Sequence, residues 1–129
     1  EAIAGKSYAM NYNVVPFCVF STPELASVGL TEKQAKEKGF DVQTSLVPFM
    51  FNGKAMTEGD VTGFVKIIAD VKTGKVLGMH VAGAAADTMI HEGALAVYMG
   101  GTVGQLARMI HAHPTRSEAI SDAAKELID

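Results

Sequence analysis

The chain has 129 residues, 48% of them apolar, and its formal net charge at pH 7 is −3. This length and composition predict one domain with one sizeable core, and the small negative charge gives no reason to expect nucleic acid or an anionic membrane as a partner. No apolar run approaches the roughly 20 residues that span a bilayer, no signal peptide is recognised, and one cysteine, Cys18, cannot form an intramolecular disulfide.

Two short strands are predicted near the start of the chain. Residues 1–13 are weakly patterned, whereas residues 14–20 are an apolar run with the composition of a strand, and residues 26–30 are predicted to pair near it. Cys18 falls inside the first run and is predicted to behave as a small buried hydrophobe.

A short helix and a third strand follow. The Thr-Glu-Lys-Gln sequence at residues 31–34 is a capping box, which starts a charged helix that ends at Gly39. Residues 41–47 alternate in polarity as a strand does. Residues 49–57 are ambiguous, and they favour one helical turn at residues 54–56.

The clearest local prediction is a β-hairpin. Residues 62–70 and 75–81 have strand composition, and they flank the sequence Val-Lys-Thr-Gly at residues 71–74, whose glycine marks a tight turn.

The last third of the chain is predicted to be helical. Residues 85–99 are apolar around most of a helix circumference, which is typical of a helix buried on more than one side. Its small side chains allow either close packing in the core or close approach of a partner subunit; they are Ala86, Gly93, Ala94 and Ala96. Thr102 caps a shorter helix through about Met109, and the glycines at 100–104 form a helix–helix turn.

Methionine and histidine in the body of the chain are predicted to be structural. His80 lies in a strand pattern and His91 on the apolar helix, and both are expected to be structural histidines rather than ligands. Four methionines are expected to fill the core or an interface; they are Met50, Met79, Met89 and Met99.

The predicted strands and helices together indicate the fold class. Helices segregated around an antiparallel sheet make an α+β domain.

The most informative segment is His-Ala-His-Pro-Thr-Arg-Ser-Glu, which ends at Glu118. Pro114 disfavours the α conformation at His113, and Thr115 is a good N-cap for a helix predicted over residues 116–128. Glu118 then falls at the N3 position of that helix. The pattern is therefore consistent with a positioned acid–base pair of imidazole and carboxylate.

The residues alone leave two other interpretations open. Thr115 and Glu118 also form an ordinary capping box, in which the glutamate only reaches back to the threonine amide. His111 and His113 are also spaced as a strand end or as two metal ligands, with His91 as a third.

The order of motifs along the chain resembles a known family. Residues 113–118 resemble the C-terminal active-site signature of the pyridine nucleotide-disulfide oxidoreductases, and the His-Ala before them resembles the dihydrolipoamide dehydrogenase branch rather than glutathione reductase. Further motifs resemble that family's interface domain and follow in the same order; they lie at residues 20–32, 52–55, 63–66 and 78–83.

The resemblance implies the dimerisation-domain fold of the FAD- and NAD-linked reductases, an antiparallel sheet with helices around it. It implies a homodimer of a longer chain whose upstream domains bind FAD and NAD. Residues 1–13 are then the joint to those domains, and residues 14–129 are the dimerisation domain. Tyr8, Met10 and Tyr12 in the joint are expected to be exposed without the upstream domains. We expect this chain alone to bind no cofactor and to be inactive.

The resemblance also implies a chemistry, the oxidation of dihydrolipoamide by NAD through FAD and a redox disulfide. His113 takes the proton of a lipoyl thiol, Glu118 orients the imidazole, and the thiolate attacks the disulfide of the partner subunit. The backbone of His113 and Pro114 lies against that subunit's flavin, and the bond between these residues is expected to be cis. The substrate is a lipoamide-bearing protein, in the cytoplasm or in the mitochondrial matrix of a eukaryote.

Three residues depart from the family pattern. Arg116 stands where leucine is usual and is expected to add a positive charge beside the pair. Thr88 replaces a common acid and removes a possible interface contact, and Ala84 replaces a frequent proline.

Other functions remain to be distinguished from this one. Within the family these are a glutathione reductase and a mercuric reductase, although a mercuric reductase would be expected to carry a C-terminal cysteine pair. Outside the family, the alternative is a free-standing dimeric interaction module in which Glu118 only caps a helix.

Overall fold

The structure is a computed structural model that describes residues 2–7 and 9–128. Within these residues, five strands form an antiparallel sheet in the order β1-β2-β5-β4-β3. The strands are β1 (Phe17–Val19), β2 (Leu25–Gly29), β3 (Val42–Pro48), β4 (Phe64–Asp70) and β5 (Val76–Ala82). The helices are α1 (Glu32–Glu37), α2 (Gly53–Glu58), α3 (Ala86–Met99), α4 (Val103–Arg108) and α5 (Glu118–Lys125). The predicted α+β class is confirmed.

The β4–β5 hairpin at the centre of the sheet is confirmed as predicted. Gly74 closes its turn with φ of 68°, a left-handed conformation that glycine adopts without strain, and its N–H donates to the carbonyl of Asp70. The Asp70 carboxylate accepts a hydrogen bond of 2.6 Å from the Thr73 hydroxyl. The turn is therefore fixed by contacts within five residues of sequence.

The main core lies on one face of the sheet. Because side chains alternate along a strand, the register places Val65 and Ile67 of β4 beside Val81 and Met79 of β5 on the same face, and all four are buried. Helix α3 packs against β5 and β2, and α5 packs against β4 and β3.

Helix α3 approaches the sheet through its small residues. A Cβ atom on Gly93 would lie 2.7 Å from the Sδ atom of Met79, so glycine is what allows this distance between helix and strand. Ala86 is also buried in the core, and Ala94 and Ala96 pack against it partly buried. Core packing therefore accounts for the small residues within this chain.

The opposite face of α3 differs from the prediction of burial on more than one side. Its side chains are apolar but exposed, and they are Leu95, Tyr98 and Met99. The sequence pattern correctly indicated an apolar circumference, but only one side of it meets the core of this chain.

The predicted α1 and α4 helices are confirmed, together with their capping boxes. Thr31 and Gln34 cap each other reciprocally at the start of α1, and Thr102 and Gln105 do the same at α4.

Two other segments differ from the sequence prediction. The first strand is shorter than residues 14–20, because Tyr12–Val14 forms a 3-10 turn. Residues 49–57 hold more helix than the single predicted turn: Phe49–Phe51 is a 3-10 turn, and α2 follows with Asn52 as its N-cap.

The residues near the start of the chain differ in burial. Cys18 lies in β1 and is partly buried against the core, somewhat less than predicted. Met10 and Tyr12 are exposed, as predicted, whereas Tyr8 lies outside the described residues.

The remaining methionines and histidines divide between core and surface. Met79 and Met89 are buried, whereas Met50 and Met99 are exposed. His80 is partly buried with Nε2 3.3 Å from the carbonyl oxygen of Leu30, and burial lowers its pKa, which fits the predicted structural role. His91 is exposed on α3, so it does not fill the core, and its structural role stays a prediction.

In the part of the chain that the structure describes, no helix combines the length and the apolarity needed to cross a membrane.

We expect Gly93→Ala to lower the free energy of unfolding by about 1–3 kcal/mol, because the new methyl group forces α3 away from Met79. The matched control is Gly104→Ala in α4, where the nearest atom to a new Cβ is Arg108 Nη1 at 3.7 Å. That variant should gain about 0.5–1 kcal/mol from helix propensity. Urea denaturation measures both, and equal gains in the two variants would contradict the close contact of α3 with β5.

Candidate active site

The segment at residues 111–118 forms the connection between α4 and α5. The His113–Pro114 peptide bond in it is cis, as expected, and so is Thr22–Pro23, which the sequence did not indicate. After the proline the chain makes a 3-10 turn, in which the N–H groups of Ala119 and Ile120 donate to the carbonyls three residues back. Helix α5 therefore begins at Glu118 rather than at residue 116.

Thr115 is not the N-cap of this helix, which corrects the sequence prediction. Its hydroxyl donates to the carbonyl of Ala112 at 2.8 Å and so is directed back into the loop. Its backbone N–H donates to Oε2 of Glu118, also at 2.8 Å. Only the glutamate half of the predicted capping box is present.

The other oxygen of the same carboxylate contacts the imidazole. Oε1 of Glu118 lies 2.9 Å from Nδ1 of His113. The sequence leaves a helix cap and an imidazole–carboxylate pair as alternatives, yet one carboxylate group makes both contacts.

The electrostatics of this pair fix the tautomer of the ring. The hydrogen bond from the Thr115 N–H, followed by the one from His113, lowers the pKa of Glu118 below its usual value. An ionised carboxylate only accepts hydrogen bonds, so Nδ1 of His113 carries the proton and donates it. In the neutral ring, Nε2 is then the unprotonated nitrogen.

His113 is open to the surroundings of the chain. Its side chain is 79% exposed, whereas that of Glu118 is 27% exposed. A neutral imidazole with a free Nε2 and a carboxylate behind it can accept a proton from an acid that approaches from outside.

His111 has a different environment from His113. Its side chain is 4% exposed, and its Nε2 lies 3.0 Å from Oε1 of Glu92 in α3. The sequence did not indicate this partner, which is 19 residues away. The contact ties the start of the loop to α3.

The histidines do not converge on a metal site. His111 and His113 each pair with a different glutamate, and His91 is exposed on α3. Among residues 2–7 and 9–128, no group of three or more His, Cys, Asp or Glu side chains is arranged to hold a metal ion. The metal interpretation therefore has no geometric support here.

The sequence predicts that Arg116 adds a positive charge beside the pair, and this prediction is wrong. The Arg116 guanidinium is buried, with Nε 3.0 Å from Oε2 of Glu58 and Nη2 2.8 Å from the carbonyl oxygen of Asp60. It also lies over the ring of Phe49, 5.3 Å from the centroid. The charge is thus neutralised at the end of α2.

Asn52 is a second contact between α2 and the loop. The side chain is buried, its Oδ1 accepts from the N–H of Ala55, and its Nδ2 donates to the carbonyl of Thr115 at 3.0 Å. Residues 52–55 are one of the motifs that resemble the family, but nothing in their pattern indicates the contact with Thr115.

The three departures from the family pattern lie together. Ala84, Thr88 and Arg116 line one cleft of about 420 Å³, with Pro114 on its wall. Thr88 is exposed there, and its hydroxyl donates to the Asp87 carboxylate. The departures therefore lie beside the loop, and none of them replaces His113 or Glu118.

Comparison with protein families gives one match that covers most of the chain. Residues 15–124 match the model of the pyridine nucleotide-disulphide oxidoreductase dimerisation domain.

Named relatives and solved structures agree with that match. The chain is 46% identical to the dihydrolipoyl dehydrogenase of Bacillus subtilis, over 99% of this chain and 27% of the relative. It is 43% identical to the mitochondrial dihydrolipoyl dehydrogenase of Pisum sativum, over 100% of this chain and 26% of the relative. The crystal structure of LpdA from Mycobacterium tuberculosis superposes with a TM-score of 0.90 at 29% identity, over 99% of this chain and 28% of that one. The chain thus spans about a quarter of the length of the proteins that it matches.

We expect the Glu118 carboxyl in the folded chain to titrate below its ordinary value of 4.5 in a carbon-13 NMR titration. His113→Ala should raise this pKa without restoring the ordinary value, because the stronger contact with the Thr115 N–H remains. A folded-state pKa below the unfolded one stabilises the fold above the unfolded pKa, and this stabilisation is lost as the pH falls through the folded pKa. The urea-unfolded chain supplies the reference, and the same pKa in both states would contradict the geometry.

Proposed function

The chain belongs to the dimerisation-domain family of the pyridine nucleotide-disulphide oxidoreductases, and on that premise we propose that it supplies the His113–Glu118 pair to a dihydrolipoyl dehydrogenase-like flavoenzyme. The reaction proposed is the oxidation of dihydrolipoamide by NAD. The observation that carries the proposal is the 2.9 Å contact between the exposed imidazole and a carboxylate, whose lowered pKa keeps it ionised.

His113 acts as the proton acceptor in this proposal. The thiolate is the nucleophile in disulfide exchange, and an ordinary thiol with a pKa of about 8.5 is mostly protonated at neutral pH. Nε2 of His113 takes the thiol proton, and the thiolate attacks the redox disulfide of the partner subunit. A mixed disulfide forms, and one sulfur of the attacked disulfide leaves as a thiolate.

Glu118 acts through His113. The carboxylate fixes the tautomer with Nε2 unprotonated, and its negative charge favours the imidazolium that forms once the proton has moved. Because the Thr115 N–H holds the second oxygen, the carboxylate keeps its direction toward the ring.

The loop fits a flavin only as an outside surface. His113 and Pro114 are exposed, so they can lie against a flat ring. Glu118 contacts Nδ1 of His113, and Nε2 is the nitrogen that stays available. This surface is suited to a flavin held elsewhere, in the partner subunit. When bound there, FAD supplies the two-electron transfer between the redox disulfide and NAD.

A homodimer is part of the same proposal. In it, another subunit brings a disulfide to the exposed imidazole of this chain, and α3 presents an exposed apolar face for contact, with Tyr98 62% exposed. We place residues 1–13 as the joint to FAD- and NAD-binding domains of the same chain and residues 14–129 as the dimerisation domain, which is inactive without them. A lipoamide-bearing protein is the proposed substrate, and the cytoplasm or mitochondrial matrix the proposed compartment.

In the full-length enzyme, His113→Gln is expected to lower the kcat for dihydrolipoamide oxidation by about 10²–10⁴-fold, the usual contribution of a general base. Flavin content should not change. Glu118→Gln should lower kcat less, since the amide loses the charge but still accepts a hydrogen bond. Steady-state assays with dihydrolipoamide and NAD measure this. The matched control is Lys72→Gln, an exposed residue of the hairpin turn, and full turnover by the His113 variant would refute the acid–base role.

The dimer is tested on the exposed face of α3. Tyr98→Asp should shift the full-length enzyme toward the monomer in sedimentation velocity, because it places a charge in an apolar interface. Val71→Asp is the matched control, an exposed apolar residue in the hairpin turn. Unchanged sedimentation of the Tyr98 variant would exclude this face as the interface.

A further inference from the structure

Arg116 makes an unusual set of contacts for a residue in an exposed loop. Its side chain is only 6% exposed. Two of its nitrogens reach two acceptors at the end of α2, the carboxylate of Glu58 and the carbonyl of Asp60. The Cζ atom of the guanidinium lies over the buried ring of Phe49, 5.3 Å from its centroid. A guanidinium held at three points has little freedom to move.

The neighbouring residue is held by the same helix. The Asn52 side chain, which caps the start of α2, donates to the carbonyl of Thr115. Asn52 and Glu58 are the N-cap and the last residue of α2, so the helix grips adjacent loop residues, Thr115 and Arg116, from its two ends.

These two loop residues lie between the two members of the acid–base pair, after His113 and before Glu118. The Thr115 N–H donates to one oxygen of Glu118, and the other oxygen contacts His113. Any displacement of Thr115 relative to α5 therefore changes the direction of the carboxylate. A continuous series of contacts runs from α2 through Thr115 to Glu118 and then to His113.

We propose that Arg116 is a positioning residue for the His113–Glu118 pair, and that its pairing with Glu58 clamps the loop on α2 so that the carboxylate faces the imidazole. The catalytic significance of this clamp rests on the function proposed above.

Stability alone accounts poorly for an arginine here. Removing a guanidinium from water is costly, and buried ion pairs are often no better for stability than apolar side chains of similar size. Nη1 of Arg116 is buried without a partner among the described atoms, which adds to that cost. Arginine differs from an apolar side chain because its Nε and Nη2 must face Glu58 and Asp60 at the same time. This requirement fixes the position of the loop relative to α2.

The first experiment needs only this chain. Arg116→Leu should raise the pKa of the Glu118 carboxyl toward its ordinary value in the carbon-13 titration, because Thr115 is held less firmly. Glu58→Gln should raise it less, and the double variant no more than Arg116→Leu, since the two residues act through one contact. Lys54→Gln is the matched control, because Lys54 also pairs with Glu58, at 3.1 Å, but among the described residues its ammonium makes no ion pair with the loop.

The second experiment uses the full-length enzyme. Arg116→Leu is expected to lower kcat/KM for dihydrolipoamide by up to about 10²-fold, the scale for a catalytic group misplaced by about 1 Å, with unchanged flavin content. Arg116→Lys keeps the charge but loses the fork, so it should recover only part of this loss. Lys54→Gln should behave as the wild type.

The outcomes separate the clamp from the function that it serves. If Arg116→Leu lowers the melting temperature but leaves both the Glu118 pKa and kcat/KM unchanged, Arg116 is only structural and the clamp is refuted. If His113→Gln retains full turnover, the proposed function fails, while the titration still decides whether Arg116 positions Glu118.

Discussion

The two oxygens of the Glu118 carboxylate have separate partners, and the rest of the site depends on that division. One oxygen accepts from the Thr115 N–H at the entry to α5, and the other contacts Nδ1 of His113. A carboxylate with one partner can rotate, whereas one with two fixed partners cannot, so the start of α5 fixes the orientation of the imidazole. Helix α5 packs against β3 and β4, and this packing connects the pair to the core of the domain.

The predictable parts of the fold are those that depend on neighbours in sequence. The capping boxes at Thr31 and Thr102 and the turn at Gly74 each close within five residues, so their patterns can be recognised without knowing the fold. The resemblance to a family identified His113 and Glu118 as a pair, and the structure brings them into contact. Thr115 was assigned to the wrong role because a threonine before a helix usually caps it, while here its hydroxyl turns back to Ala112.

The contacts that sequence patterns missed are those between distant segments. Glu92 and His111 are 19 residues apart, Glu58 and Arg116 are 58 apart, and Asn52 and Thr115 are 63 apart. None has a periodicity or spacing that marks it, because each depends on how α2 and α3 pack beside the loop. Arg116 illustrates the difference: its charge was visible in the sequence, but its direction was set by acceptors in another helix.

Strand β1 forms one edge of the sheet, and its shape determines how a neighbouring segment of protein can contact the domain there. Strand β1 is only three residues long and lies between Pro16 and Pro23, which have no N–H to offer a ladder. A short edge interrupted by proline is a poor template for an added strand. Its exposed side chains, Phe17 and Val19, still offer apolar area. A neighbouring segment is therefore expected to bury the apolar side chains of this edge reversibly, rather than to add a strand to the sheet.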